Sequence, residues 1–368
     1  FQKERTFFKL YSNNDNIKAL KSKENTKIKK KEILDKCKDK KERNIKFKNF
    51  IKDKISERNL EYIKDCGSYL GFITNKEISI KKLVEGNFCK NRFCPFCAWR
   101  KSLKEALKIK ICMEHLQKEE DQEFYFLTLT APNIVGAELE EEIKHYNKSF
   151  KRLMQRKDVQ AVVTGYVRKL EVTYSSERYI TKALYKKKKN YYDYKGLKIG
   201  DLEPNYNTYH PHFHVIISVK RNDIKNNRGW IKQERWLQLW REATGNSSIT
   251  QVDFKKVRDI RDGKEAIEIA KYAAKDDDYL HSQEVFDIFY NALKGKQMIV
   301  YSGLFKEAVK MYKNGDLDCY KEKDKEEYIY KLMYKWFIDR YEEEKIRELT
   351  EEEYSKYNGV KIEEVNDS

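Results

Sequence analysis

The stretch HPHFHVIISV (210–219) leaves the backbone little choice. Successive side chains of an extended strand point to opposite faces. His210, His212 and His214 then project together, while Phe213, Val215 and Ile217 form an apolar face that must bury. Imidazoles converging on one face make a divalent-metal site; the plainer alternative is a set of histidines satisfied by hydrogen bonds. Glu171, in KLEVTY (169–174), sits on the preceding strand-like segment. If the two strands pair, its carboxylate joins the imidazoles as a third ligand; otherwise it is an exposed residue paired with Lys169 or Arg168. A mixed His/carboxylate set with open positions suits Mg²⁺ or Mn²⁺, and zinc would also bind.

The cysteines suggest a second metal. Cys94 and Cys97 form a C-x-x-C turn, Cys89 lies just before it, and Cys66 lies further upstream. Two thiolates on a tight turn plus a second pair complete the tetrahedral donor set of a structural zinc site. A redox C-x-x-C would want a βαβ setting and would leave Cys66 and Cys89 without a purpose. Cys37, Cys112 and Cys319 are read as incidental.

Around these motifs the chain alternates strands and helices with hairpin-like connections, so the expected class is α+β. Strands are predicted over 123–132, 163–174 and 249–257, and helices over 138–159, 233–244 and 263–275. Residues 1–58 read as a basic arm, partly helical or loosely ordered. Residues 59–120 hold the zinc-binding region, 121–300 the main domain, and 301–368 a charged helical C-terminal region. The Tyr-rich stretch 185–200 reads as a long basic loop. The first residue is Phe1 rather than Met, so residues are expected to precede it.

Lys and Arg number 77 against 60 Asp and Glu, a net charge of +17. Such an excess, combined with 26 Tyr and 18 Phe, suits a polyanion whose bases stack on aromatic rings. Expected phosphate contacts are Lys151, Arg152 and Arg156 after the first motif, Lys186 to Lys189 in the basic loop, and Arg228, Lys232, Arg235 and Arg241. No apolar run reaches the roughly eighteen residues of a membrane span and no signal peptide is visible, which predicts a cytoplasmic protein without a membrane partner.

One further segment carries chemistry. In EIAKYAAKDDDYL (268–280), Glu268 and Tyr272 fall one helical turn apart and Lys275 follows at the next. A phenol beside a divalent metal and a lysine can act as a nucleophile on phosphorus, with Glu268 as general base for water. By itself the spacing is weak, since most tyrosines at helical spacing are core.

Taken together, FLTLTAPN (126–133), HPHFHV (210–215) and AKYAAKDDDYL (270–280) resemble, in this order, the three motifs of rolling-circle plasmid replication initiators of the HUH endonuclease superfamily. CKNRFCPFCAWRK (89–101) and YSGLFKEA (301–308) resemble flanking signatures of one branch, and the resemblance spans roughly residues 62 to 310. It implies a palm-like central antiparallel sheet carrying His212 and His214, with flanking helices and a small four-cysteine zinc subdomain. It also implies that Tyr272 nicks one strand of plasmid double-strand origin DNA, supercoiled or single-stranded at the nick site, through a 5′-phosphotyrosyl link. Glu268 would direct water in the terminating cleavage, and His210 would lie outside the two-histidine core. Tyr279 would be the second nucleophile of two-tyrosine relatives, a scheme the Glu268 arrangement disfavours, and a bacterial host's helicase and polymerase would follow. The HPHFHV run also fits the histidine-triad pattern of small-molecule nucleotide hydrolases, to which the basic body is poorly matched. Two alternatives remain: a non-catalytic zinc-stabilised DNA-binding repressor, and an HUH transposase or relaxase.

Overall fold

The structure, a computed structural model, describes residues 33–222, 231–270 and 274–359. Helix α1 (Ile33–Ile51) buries Cys37, Phe47 and Ile51. After a short helix over Glu57–Asp65 come the antiparallel strands β1 (Tyr69–Thr74) and β2 (Lys81–Gly86). Helix α2 (Pro95–Glu119) opens on a proline, whose fixed φ and missing N–H suit the first helical position. Strand β3 (Gln122–Leu129) is rich in aromatic and apolar residues. Helix α3 (Leu139–Met154) has three glutamates in its first turn and Lys151 and Arg152 in its last, as the helix dipole favours. Its stripe of Leu139, Ile143, Tyr146, Phe150 and Leu153 is buried at helical spacing.

Strands β4 (Gly165–Ser175) and β5 (Thr208–Lys220) are the long ones. Helix α4 (Gln233–Thr244) buries Trp236, Leu239 and Trp240 and ends at Gly245 in the left-handed region. There follow strand β6 (Val252–Lys256), helices α5 (Lys264–Ala270), α6 (Asp276–Tyr279) and α7 (Gln283–Leu293), strand β7 (Ile299–Gly303) and helix α8 (Leu304–Asn314). Strands β8 (Tyr330–Phe337) and β9 (Arg340–Glu348) and a short helix over Glu351–Tyr357 complete the described chain.

The chain divides into two compact units, one built from residues up to Glu119, Arg258–Lys271 and Glu307 onward, the other from Glu120–Val257 and Tyr272–Lys306. The first holds an antiparallel sheet in the order β2-β1-β8-β9, with α1 and α5 packed on α2. The second holds the sheet β6-β3-β5-β4-β7, in which every neighbouring pair is antiparallel. The α+β class expected from the sequence is therefore the class observed. Phe213 on β5 meets Phe150 of α3 at 5.4 Å and Trp240 of α4 at 6.3 Å between ring centroids, so both helices cover the sheet face opposite the histidines. At the far edge of that sheet Gly303 is required: its φ is +54°, and a Cβ there would lie 2.1 Å from the Thr164 carbonyl oxygen.

Three expectations are corrected. The region from 301 is not a charged helical tail, because after α8 it forms the β8–β9 hairpin, and β8 joins β1. YKLMYKWF is aromatic and β-favouring, and Leu332 and Tyr334 bury, while the charges of RYEEEKIRE sit on an edge strand where they discourage further pairing. The 185–200 loop is largely helical, over Lys182–Lys187 and Lys189–Lys195, with Gly196 ending the second helix in the left-handed region. The helix expected over 263–275 stops before Lys275, whose extended backbone instead starts α6. Asp276, Asp277 and Asp278 fill that helix's first turn, where the dipole favours carboxylates, so the sequence restarts a helix rather than continuing one. Of the arm expected over 1–58, residues 33–51 are helical, while residues 1–32 lie outside the described residues.

Candidate metal centres

Strands β4 and β5 pair with Glu171 opposite His212 and Lys169 opposite His214. Directly opposed residues share a sheet face, so one carboxylate and two imidazoles meet there. The donor atoms of Glu171, His212 and His214 all lie within 4.8 Å of one another. The rings of His212 and His214 are 4.9 Å apart and nearly perpendicular. His212 Nδ1 donates to the His210 carbonyl oxygen at 3.0 Å, which leaves Nε2 with its lone pair for a cation. His214 Nδ1 lies 3.3 Å from Thr128 Oγ1 on β3, and its Nε2 lies 3.4 Å from Glu171 Oε2. His210 stacks on His212 at 5.0 Å but is not one of the clustered donors.

Electrostatics prepare these groups as ligands. Burial pushes His212 down to about 4 against the pull of Glu171, so the ring is neutral at physiological pH. Burial raises Glu171, yet Lys169, His214 and His212 together hold its carboxyl well below the usual carboxylate range. Lys169 is fully buried, and its Nζ donates to Glu171 Oε2 at 3.1 Å. The ligand geometry and the pairing with Lys169 thus coexist rather than exclude each other. The sequence offered the Lys169 pair as an alternative to the ligand role, with Glu171 exposed; in the structure that pair is buried. Asp278 was missed. It accepts from the Tyr174 backbone N–H at 3.3 Å, and burial raises it to about 6.

Glu268 lies half-buried on α5 in the first unit. Lys275 is exposed at the start of α6 in the second, and Tyr272 and Arg228 lie outside the described residues. Tyr279 is buried, with its ring 6.3 Å from Phe286 and 6.4 Å from Phe289. Of the expected phosphate contacts, Arg152 donates to the Ala243 carbonyl oxygen from Nε at 3.1 Å and from Nη2 at 2.6 Å. Arg156 pairs with Glu242, and Arg235 with Asp158 at 2.8 Å, so these three tie α3 and its following turn to α4. Lys151 is exposed.

The four cysteines do converge. Cys66 Sγ lies 3.6 Å from Cys94 Sγ and 3.5 Å from Cys97 Sγ, and Cys89 Sγ lies 3.7 Å from Cys97 Sγ. Zn–S bonds of about 2.3 Å in a tetrahedron give S–S separations of roughly 3.7 Å, so the set fits a structural zinc ion. Asn44 of α1 donates to Cys94 Sγ at 3.3 Å, and buried Lys41 donates to the Cys66 carbonyl oxygen at 2.8 Å. Both add positive potential beside the thiolates. Cys37, Cys112 and Cys319 take no part in the cluster.

Comparison with known proteins places the chain. The sequence profile of a family described as "Replication protein" matches residues 80–345. A "Protein rep" of Staphylococcus aureus is 43% identical over 247 residues, which is 67% of this chain and 95% of that protein. A "Protein rep" of Bacillus amyloliquefaciens is 32% identical over 281 residues, 70% of this chain and 74% of that one. A "Replication protein" of Staphylococcus aureus is 26% identical over 226 residues, 58% of this chain and 83% of the relative. No solved structure matches. The chain belongs to the replication protein family, the plasmid replication initiators that its motifs resemble.

Proposed function

We propose that the protein initiates rolling-circle replication of a plasmid by nicking one strand of its origin and later rejoining the ends. The observation that carries this reading is the cluster of Glu171, His212 and His214 on one sheet face, in a chain of the replication protein family. A divalent cation held there, Mg²⁺ or Mn²⁺, supplies Lewis-acid polarisation of a phosphodiester oxygen. The chain's own groups do the rest. Glu171 stays ionised beside Lys169, and His212 stays neutral with Nδ1 committed to a carbonyl, so both keep their donor atoms available.

Tyr272 attacks the scissile phosphorus, forms a 5′-phosphotyrosyl ester and releases a 3′-OH that primes synthesis. Lys275 offsets phosphate charge, and Glu268 orients the water of the terminating cleavage. The packing of Tyr279 against Phe286 and Phe289 supports a single-tyrosine scheme. Cys66, Cys89, Cys94 and Cys97 hold a structural zinc ion that takes no part in the chemistry. The origin DNA is the substrate, Lys151 is a candidate phosphate contact, and a host helicase and polymerase extend the primer in the bacterial cytoplasm. Among the described residues no helix is long and apolar enough to cross a membrane.

The test incubates the full chain with a supercoiled plasmid carrying its origin and Mg²⁺ or Mn²⁺. Wild type converts the plasmid to open circles. A His212→Ala/His214→Ala chain still shifts origin DNA in a gel but leaves the plasmid closed. Nicking by that double variant at the wild-type rate would remove the metal site from the mechanism.

A further inference from the structure

Arg168 lies between two metal-face neighbours in sequence but points the other way. Its guanidinium sits over Phe213 at 4.4 Å and Phe150 at 4.8 Å, on the sheet face covered by α3. The residue is only 6% exposed, and its buried Nε has no hydrogen-bond partner among the described residues. Burial lowers its pKa to about 10, with Tyr166 the opposing influence, so the side chain is charged at neutral pH. A buried cation without a carboxylate costs more than two ring faces return. An apolar residue would fill the same space between the rings without that penalty. The arginine is therefore unexplained by packing alone.

Beside it opens a cavity of about 580 Å³ between α3, the turn that follows it, and strands β4 and β7. Arg168 and Lys151 line this cavity together with the uncharged donors Asn147, Gln155, Gln160 and Ser302. No carboxylate is among the described residues that line it. Its volume is that of a small-ligand site. A guanidinium fork, an ammonium and several amide donors match a tetrahedral oxyanion. Tyr166, half-buried in the same wall, offers ring surface to a base.

We propose that this cavity is a second, non-catalytic phosphate site that takes a nucleotide phosphate between buried Arg168 and exposed Lys151. The phosphate comes either from a free nucleotide or from a strand of DNA passing over the helix side of the sheet. This site is separate from the histidine face and does not depend on the nicking reading.

The test is calorimetric titration of the full chain with inorganic phosphate and with thymidine 5′-monophosphate, without added divalent metal. Using the His212→Ala/His214→Ala chain as the background keeps the histidine site from contributing. Binding of both probes is expected, with the nucleotide tighter than phosphate. Lys151→Glu should weaken it by about tenfold or more, and Arg168→Gln further. If Arg168→Gln fails to fold, the exposed Lys151→Glu change decides alone. An oligothymidylate that competes with the nucleotide assigns the site to a DNA strand, and one that binds without competing assigns it to free nucleotide. Absence of binding by both probes, or binding unchanged in both variants, overturns the proposal.

Discussion

Lys169 is a full side-chain charge buried on the metal face, and its partner Glu171 is almost as deeply buried. Breaking such a pair leaves one uncompensated charge in a poorly solvated place. Lys169→Met is expected to lower unfolding stability by about 3 kcal/mol, and Lys169→Met/Glu171→Leu to recover most of the loss. Urea denaturation of the three chains checks this, and an unrecovered double variant would contradict it. Glu171 has a depressed pKa, so the stability it contributes is present above the ordinary carboxylate range and is lost as acid protonates it. Asp278 has the opposite sign: its pKa is raised to about 6, so its burial favours the protonated form and stability falls as pH rises through that value. Asp278→Asn should stabilise the protein by about 1 kcal/mol at pH 8, allowing for its partial solvation, and leave stability at pH 4 nearly unchanged. Melting temperatures across that range decide. His212, His214 and Glu171 were legible in the sequence because strand alternation fixes faces and antiparallel pairing does the rest. The pairing of Lys169 with Glu171 was legible as well, but its burial was not, because one lysine in so basic a chain reads as surface.

At the scale of elements, α3 and α4 were readable from apolar periodicity and from their charged ends. What basic residues on those helices do was not readable. Arg152 looks like a phosphate contact in sequence, yet it donates to the Ala243 carbonyl near the end of α4, where such groups lack helical partners. Arg152→Ala is expected to lose about 1–2 kcal/mol of stability. It should leave the slope of DNA affinity against salt unchanged, where a lost phosphate contact would reduce it by about 0.9. Denaturation curves and a salt titration separate the two roles. The β8–β9 hairpin escaped the sequence reading because dense charge on β9 hid the alternation of β8. The partnership of β8 with β1 joins segments more than two hundred residues apart, which no local pattern reports.

For the whole molecule, a net charge of +17 predicts origin binding that weakens steeply with salt. The four cysteines predict one zinc per chain by elemental analysis of protein purified without chelator. Stripping that zinc should lower the melting temperature by more than about 5 °C, because folding and metal binding share one free energy. Unchanged melting after removal would contradict a structural role. In the proposed reaction the histidine face and the phenol of Tyr272 act on the same phosphodiester. Wild-type protein is trapped on an origin oligonucleotide with Mn²⁺, digested with nuclease and protease, and analysed by mass spectrometry for a nucleotide-bearing peptide. The nucleotide is expected on the peptide containing Tyr272, and it should be lost in Tyr272→Phe. A nucleotide on Tyr279, or an undiminished adduct in Tyr272→Phe, would contradict it.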